Sequence, residues 1–187
     1  FLGKWLIEVL IYLNEKHKLN ITLSLLIRNK NFPLRFLSET NKSKLTNIKL
    51  ILGDIRNFTF PDDKIDHIIH LASTNLINSE MIKSNSLDII VNGTKRIIEL
   101  SRAVDSSSIT YLSSGAVYGK NCPRQQGWKE NDKTIDLFDN NINFYAKAKK
   151  LAENLLIKKF YNLERLQTLN IFRSFSFGGS GFNYNNS

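Results

Sequence analysis

Residues 109–119 read ITYLSSGAVYG, a short apolar run that ends in small and polar residues. A run rich in β-branched and aromatic residues and closed by Ser and Gly predicts a strand over Ile109–Leu112, followed by a turn. Downstream, apolar residues recur at helical spacing from Tyr145 to about Phe160, which predicts an amphipathic helix. Residues 120–143 are polar and without clear periodicity, so we expect a loop there, beside any site at the end of the strand.

The rest of the chain alternates between the same two patterns. Helical patterns cover Gly3 to about Asn14 and Met81–Ala103, the second with a break. Further strands are predicted at Ile21–Ile27, Ile48–Leu52, Asp66–Leu71 and Thr168–Phe172. Continuous apolar strands separated by helices indicate βαβ units. The sequence therefore predicts an α/β fold, a doubly wound parallel sheet with helices on both faces.

The composition is that of an ordinary soluble domain, with 187 residues of which 42% are hydrophobic and 23% charged. The net charge of +9 comes from scattered lysines in a chain rich in Asn, Ile and Lys. We therefore expect no nucleic-acid partner, although a basic surface suits a phosphorylated ligand. No stretch is apolar enough to span a membrane and no signal peptide is recognisable, so we expect no membrane partner and a cytoplasmic location.

The cysteine and histidine content argues against a metal site. Cys122 is the single cysteine, which excludes an intramolecular disulfide and a cysteine-based metal centre. The three histidines, His17, His67 and His70, lack ligand spacing with carboxylates. His67 and His70 lie in or beside an apolar run, so we expect both to be packed side chains.

Tyr145 and Lys149 stand four residues apart, which places the phenol and the ammonium on one face of the predicted helix. A nearby cation favours the tyrosinate and lowers the pKa of a phenol. Such a phenol could exchange a proton with a hydroxyl or carbonyl of a substrate near neutral pH. The alternative is an ordinary amphipathic helix, because any Lys-rich helix places some Tyr four residues before a Lys.

Polar or turn residues follow four of the predicted strands. They are Arg28, Asp54, the segment Ala72–Thr74, and Ser113 with Ser114. In parallel sheets, ligands bind beyond the carboxyl ends of the strands. The four positions therefore predict a ligand site at this edge.

With these residues in hand, the chain resembles the extended short-chain dehydrogenase/reductase family, specifically its NAD-dependent epimerase/dehydratase branch, which acts on nucleotide sugars. The resemblance covers nearly the whole chain and implies a Rossmann-type sheet. Phe1-Leu2-Gly3 looks like the tail of the family's glycine motif, so the first strand would lie before residue 1. We expect a fragment in which residues 1–177 are a dinucleotide-binding domain truncated at its N-terminus and residues 178–187 begin the substrate-domain region. Such an isolated polypeptide should be marginally stable or insoluble.

The resemblance implies NAD or NADP as cofactor and a nucleotide sugar as substrate. It assigns catalysis to Ser114, Tyr145 and Lys149. The cofactor-binding positions that it implies are Phe1, Leu2, Gly3, Arg28, Asp54, Ile55, Leu71, Ala72, Ser73, Asn92, Tyr145 and Lys149. Arg173 matches the family's arginine after its sixth strand, although the Asn that usually follows is here Ser176.

Two departures from the family pattern refine these expectations. The dehydratase members carry an acidic pair where this chain has Gly115 and Ala116, so an epimerase or a keto-sugar reductase is favoured over a dehydratase. After the second family strand, Arg28 replaces the usual acidic residue and could pair with a 2′-phosphate, which favours NADP. If Arg28 instead stacks on adenine, NAD stays open.

Two further questions stay open from the sequence. The same fold can serve a cofactor-binding regulator or interaction module without catalysis, and this is the alternative to an enzyme. By resemblance only, the full-length protein could form a homodimer through the helices predicted at Met81–Ala103 and Tyr145–Phe160.

Overall fold

The computed structural model describes residues 2–29, 48–73, 80–120, 122, 125–139, 141–162 and 165–177, with the backbone alone for residues 80–86. In chain order the elements are helix α1 (Leu2–His17), strands β1 (Leu23–Ile27), β2 (Ile48–Leu52) and β3 (His67–His70), helix α2 (Glu80–Ala103), strand β4 (Ser108–Ser114), a 3-10 turn (Gly115–Tyr118), helix α3 (Phe144–Phe160) and strand β5 (Thr168–Ser174). The predicted alternation of strands and helices is confirmed. The chain divides into two compact units, the first ending at Pro61 and the second beginning at Asp62.

The first unit is built from α1 and a parallel pair of strands. β1 and β2 pair in register from Leu23 opposite Ile48 to Ile27 opposite Leu52. Ile7 and Ile11, one helical turn apart on α1, are buried and pack against Leu23, Leu25 and Ile48. The helix is therefore held to the strand pair by one apolar stripe, and burial of each isoleucine contributes roughly 1.5–3 kcal/mol.

The second unit is a three-stranded parallel sheet in the order β3-β4-β5. β4 is the central strand, and its Ile109 and Tyr111 are fully buried. α2 and α3 pack against each other, and α3 also contacts β4 and β5. Ala148 and Ala152 on α3 are fully buried, because small side chains let the helix lie close to its neighbours.

The predicted break in the second helix is wrong, since α2 runs without interruption from Glu80 to Ala103. Side-chain bonds to the preceding turn hold the segment around Gly93 in the helix. Asn92 donates to the carboxylate of Asp88, and Thr94 Oγ1 donates to the Ile90 carbonyl at 2.8 Å. In the described part of the chain, no helix has the length and apolar character needed to cross a membrane.

Candidate active site

Helix α3 begins at a capped turn that places Tyr145 at its start. The side chain of Asn143 accepts a hydrogen bond from the backbone N–H of Tyr145 at 2.8 Å, which satisfies one of the free donors of the first turn. Lys149 and Glu153 follow at successive four-residue steps on the same face. Tyr145 is half-buried, whereas Lys149 and Glu153 are buried.

The ammonium group of Lys149 is held beside two aromatic rings. Its Nζ donates to the Leu112 carbonyl at 2.8 Å and lies 5.0 Å from the ring centre of Tyr111 and 5.7 Å from that of Tyr145. With only 2% of the residue exposed, burial lowers the pKa of Lys149 to about 8, and the Glu153 carboxylate opposes that shift. The predicted proximity of Tyr145 and Lys149 is therefore present, and the amine is still mainly protonated at neutral pH.

Ser114 is the last residue of β4 and caps the 3-10 turn that follows. Its backbone is extended, with φ −145° and ψ 146°, and its Oγ accepts from the Ala116 N–H at 3.2 Å. This bond uses an acceptor site, so the hydroxyl hydrogen is not consumed by it. The 3-10 turn packs against α3, so Ser114 and Tyr145 belong to contacting elements at the carboxyl end of β4.

Glu153 is the centre of a buried ion-pair network that sequence reasoning missed. Its carboxylate accepts from Ser113 Oγ at 2.6 Å and from two nitrogens of Arg173, each at 2.9 Å. Burial raises the pKa of Glu153, but the hydrogen bonds from Arg173 and Ser113 outweigh burial and leave that pKa lowered. Continuing the four-residue spacing from Tyr145 through Lys149 would have placed Glu153 on this face.

Arg173 links β5 to the loop that follows the 3-10 turn. Its second terminal nitrogen donates to the Tyr118 hydroxyl at 2.9 Å and to the Glu130 carbonyl at 3.1 Å. The Tyr118 ring stacks on Trp128 with centroids 5.1 Å apart. A cavity of about 390 Å³ reaches Arg173 between α3 and β5, and its lining includes none of the three proposed catalytic residues.

His70 lies in a buried polar cluster near Lys149. Its Nε2 is 3.2 Å from the Thr94 hydroxyl, and its ring lies 5.2 Å from that of Tyr111. Burial, followed by the charge of Lys149, lowers the pKa of His70 to about 3. Burial also raises the pKa of Tyr111. His70 is thus a neutral packed histidine at physiological pH, as the sequence predicted.

The structure contradicts the same prediction for His67, which is exposed. Its Nδ1 lies 2.7 Å from the Ser108 hydroxyl on the neighbouring strand. Successive side chains of a strand point to opposite faces, so two residues three apart cannot share the buried face.

The predicted cofactor residues of the first unit gather at two places. Leu2 and Gly3 form the first turn of α1. Arg28 directly follows β1, and the Gly53 N–H donates to the Ile27 carbonyl at 3.0 Å, which brings the ends of β1 and β2 together. Arg28 is consequently close enough for its charge to contribute to the lowered pKa of Asp54.

The Asp54 carboxylate is already engaged within its own turn. Arg56 binds it through Nε at 2.7 Å and a terminal nitrogen at 3.1 Å, and this is the main cause of its lowered pKa. Ile55 lies between the two and is half-buried. The position before Asp54 favours glycine, because a Cβ at Gly53 would lie 2.7 Å from the Cβ of Phe58.

The predicted cofactor residues of the second unit lie at the carboxyl edge of its sheet and on α2. Leu71 is half-buried after β3, whereas Ala72 and Ser73 are exposed. β3 and β4 run parallel, so this segment and Ser114 share one edge of the sheet. Asn92 is held on α2 by Asp88. Phe1, Thr74 and residues 178–187 lie outside the described residues.

The donor groups at this edge fit a dinucleotide. An ammonium group has more donor hydrogens than the single Leu112 bond uses, and ribose hydroxyls can accept them. Ala72 and Ser73 are small and exposed. Among the residues that the structure describes, no group of three or more His, Cys, Asp or Glu side chains could hold a metal ion.

The model of the 3-beta hydroxysteroid dehydrogenase/isomerase family matches residues 1–180 of the chain. No curated protein matches the chain significantly. This match agrees with the predicted resemblance to the extended short-chain dehydrogenases/reductases.

Several solved structures share the fold. The protein MoeE5, solved with UDP-glucose and NAD, aligns with TM-score 0.68 and 20% identity over 92% of this chain and 52% of its own. UDP-N-acetylglucosamine 4-epimerase from Methanobrevibacter ruminantium M1, solved with UDP-N-acetylmuramic acid, gives TM-score 0.67 and 19% identity over 92% and 51%. UDP-glucose 4-epimerase from Bifidobacterium longum, solved with NAD+ and UDP, gives 0.62 and 18% over 87% and 48%. The chain thus spans about half the length of these proteins, and the Rossmann-type α/β fold is confirmed.

Proposed function

This chain belongs to the 3-beta hydroxysteroid dehydrogenase/isomerase family, and from that membership we infer its function. We propose that it is part of an NAD(P)-dependent oxidoreductase or epimerase that acts on a nucleotide sugar. The observation that carries the proposal is the Tyr145–Lys149 pair, whose ammonium lies 5.7 Å from the phenol ring and is tied to the strand that ends in Ser114. The UDP-sugars bound to proteins of the same fold support the substrate class.

Three side chains divide the proposed chemistry. Tyr145 takes the proton from a sugar hydroxyl during oxidation and returns it during reduction. The Lys149 ammonium stabilises the phenolate and donates its remaining hydrogens to the ribose of the cofactor. Ser114 donates its hydroxyl hydrogen to the reacting sugar oxygen and thereby orients it. The nicotinamide, when bound, accepts or returns the hydride.

An epimerase and a reductase share this machinery and differ in the fate of the ketone. An epimerase returns the hydride to the opposite face of the sugar and regenerates its cofactor. A reductase releases the alcohol and needs a new reduced cofactor in each cycle. Both remain within the proposal, because both use Tyr145 in the same role.

A dehydratase is disfavoured by the packing around Gly115. A Cβ at this position would lie 2.5 Å from the ring of Phe175, so an acidic side chain would have to displace that ring. Ala116, the next residue, carries no titratable group. Both positions therefore lack the acid and base that water elimination needs.

A hydroxysteroid is the second candidate substrate. The matching family bears that name, and Phe175 and Phe177 after β5 are 63% and 40% exposed, which offers an apolar surface. The non-catalytic alternative keeps cofactor binding without turnover. Both alternatives retain the cofactor. The first differs from the main proposal in its substrate, and the second in having no catalytic turnover.

Arg28 supports NADP as the preferred cofactor. It is exposed directly after β1, where a guanidinium can bind a 2′-phosphate through two hydrogen bonds. The proteins solved with a cofactor carry NAD, which is the competing choice.

Assay of the full-length protein against UDP-sugars and 3β-hydroxysteroids, each with NAD and with NADP, tests the proposal. We expect turnover of a UDP-sugar, with Arg28→Ala weakening NADP binding about 10–100-fold and leaving NAD nearly unchanged. Arg102→Ala, an exposed arginine on α2, is the matched control and should change neither. Turnover of steroids alone, or cofactor binding without any turnover, would overturn the sugar proposal.

A further inference from the structure

We propose that Glu153 is a positioning residue that holds Lys149 and Ser114 in working geometry by tying α3 to the carboxyl ends of β4 and β5. The inference rests on the proposed function. Glu153 is bonded to Ser113, Lys150 and Arg173 and is given no contact with substrate or cofactor, so we expect it to act through its neighbours.

Three consecutive residues at the end of β4 have different roles. Leu112 accepts the Lys149 ammonium at its carbonyl, and Ser113 donates to Glu153 at 2.6 Å. Ser114, the next residue, is the proposed substrate-orienting hydroxyl. The helix face and the strand end are thus joined by two hydrogen bonds directly before Ser114, and loss of either lets the two elements shift against each other.

The second observation is that the carboxylate is fixed from both sides. Arg173 binds both of its oxygens at 2.9 Å, and Lys150 lies 3.4 Å from one of them. Arg173 is itself held by Tyr118 and by the Glu130 carbonyl. Glu153 is fully buried, so solvent screens its interaction with Arg173 only weakly.

The third observation is electrostatic. Among the described residues, the titratable and charged groups that interact with Lys149 are Tyr145 and Glu153 from α3, Tyr111 from β4 and His70 from β3. Glu153 is paired in turn with Lys150 and with Arg173 of β5. Of these, the Glu153 carboxylate raises the pKa of Lys149 against the effect of burial. Removal of that charge therefore favours the neutral amine.

Glu153→Gln in the full-length protein is the direct test, because it keeps the shape and removes the charge. We expect kcat to fall about 10²-fold with KM little changed, as for a misplaced reacting group. The alkaline limb of the activity profile should also move to lower pH. Glu99→Gln, an exposed glutamate paired with Arg96 on α2, is the matched control and should behave as wild type.

Ser113→Ala is the milder variant, which removes only the bond from β4 to Glu153. We expect kcat to fall about tenfold, the equivalent of one hydrogen bond. If Glu153→Gln does not fold, this variant decides. A kcat within about twofold of wild type would then overturn the inference.

A titration of the lysine side chains by NMR, with Lys149 assigned from Lys149→Arg, separates this inference from the proposed function. It needs no substrate. If the wild type turns over no substrate, the proposed function fails. A lower pKa of Lys149 in Glu153→Gln than in the wild type would still support the role of Glu153. An unshifted Lys149 in a folded Glu153→Gln would overturn the inference even if the enzyme is active.

Discussion

At the scale of single residues, the structure separates two histidines that the sequence treats alike. His67 and His70 flank the apolar pair of β3, and both were predicted to be packed. A count of the period-two alternation would have placed them on opposite faces. What the sequence could not give is the environment of His70, because Thr94, Tyr111 and Lys149 reach it from distant segments.

We predict that His70 makes the fold sensitive to acid. Its pKa falls from the usual 6.5 to about 3 on folding, so below pH 6.5 the unfolded chain binds the proton that the folded chain excludes. The contribution of the neutral, buried His70 to the free energy of unfolding is therefore fully present above pH 6.5, and it is lost as the pH falls towards about 3. Melting temperatures measured across this range should fall for the wild type and fall less for His70→Gln.

His67→Gln is the control for that measurement, since it changes an exposed ring on the same strand. It should keep the acid dependence of the wild type. Equal slopes for His70→Gln and the wild type would show that another group is responsible.

At the scale of elements, the predicted strands and helices are recovered because hydrophobic periodicity is a local signal. The break predicted in the second helix is absent, and side-chain bonds from Asn92 and Thr94 to the preceding turn hold the segment around Gly93 in helical form. In the turn after β4, by contrast, the decisive contact is between residues that are far apart in the sequence. Its Gly115 packs against Phe175, a contact between residues 60 positions apart that no local pattern reveals.

Gly115→Ala should destabilise the full-length protein by about 1 kcal/mol, at the low end for overpacking. The added methyl group would meet the Phe175 ring, which is 63% exposed and can turn away at the loss of its stacking on Tyr118. Urea denaturation of both single variants and of Gly115→Ala with Phe175→Ala measures the coupling between the two positions. The penalty of Gly115→Ala should shrink in the Phe175→Ala background, and an unchanged penalty would contradict the contact.

Beyond single elements, the candidate active site of the second unit joins residues of β4, α3 and β5. The sequence predicted that its motifs follow strand ends, and in each unit the parallel pairing places them at a common edge. The Glu153–Arg173 pair escaped prediction because the resemblance singled out Arg173 alone and the local sequence around Glu153 does not reveal that the two residues meet. Only the packing of α3 beside β4 and β5 buries Glu153 and brings it against the half-buried Arg173.

Tyr145→Phe in the full-length protein tests whether Tyr145 carries the proton. The change removes one hydroxyl and keeps the ring beside Lys149, so kcat should fall roughly 10²–10⁴-fold while cofactor binding persists. Tyr161→Phe, which alters an exposed tyrosine at the end of the same helix, should retain full activity. Near-wild-type turnover by Tyr145→Phe on the substrate found for the wild type would show that Tyr145 is not the acid/base residue.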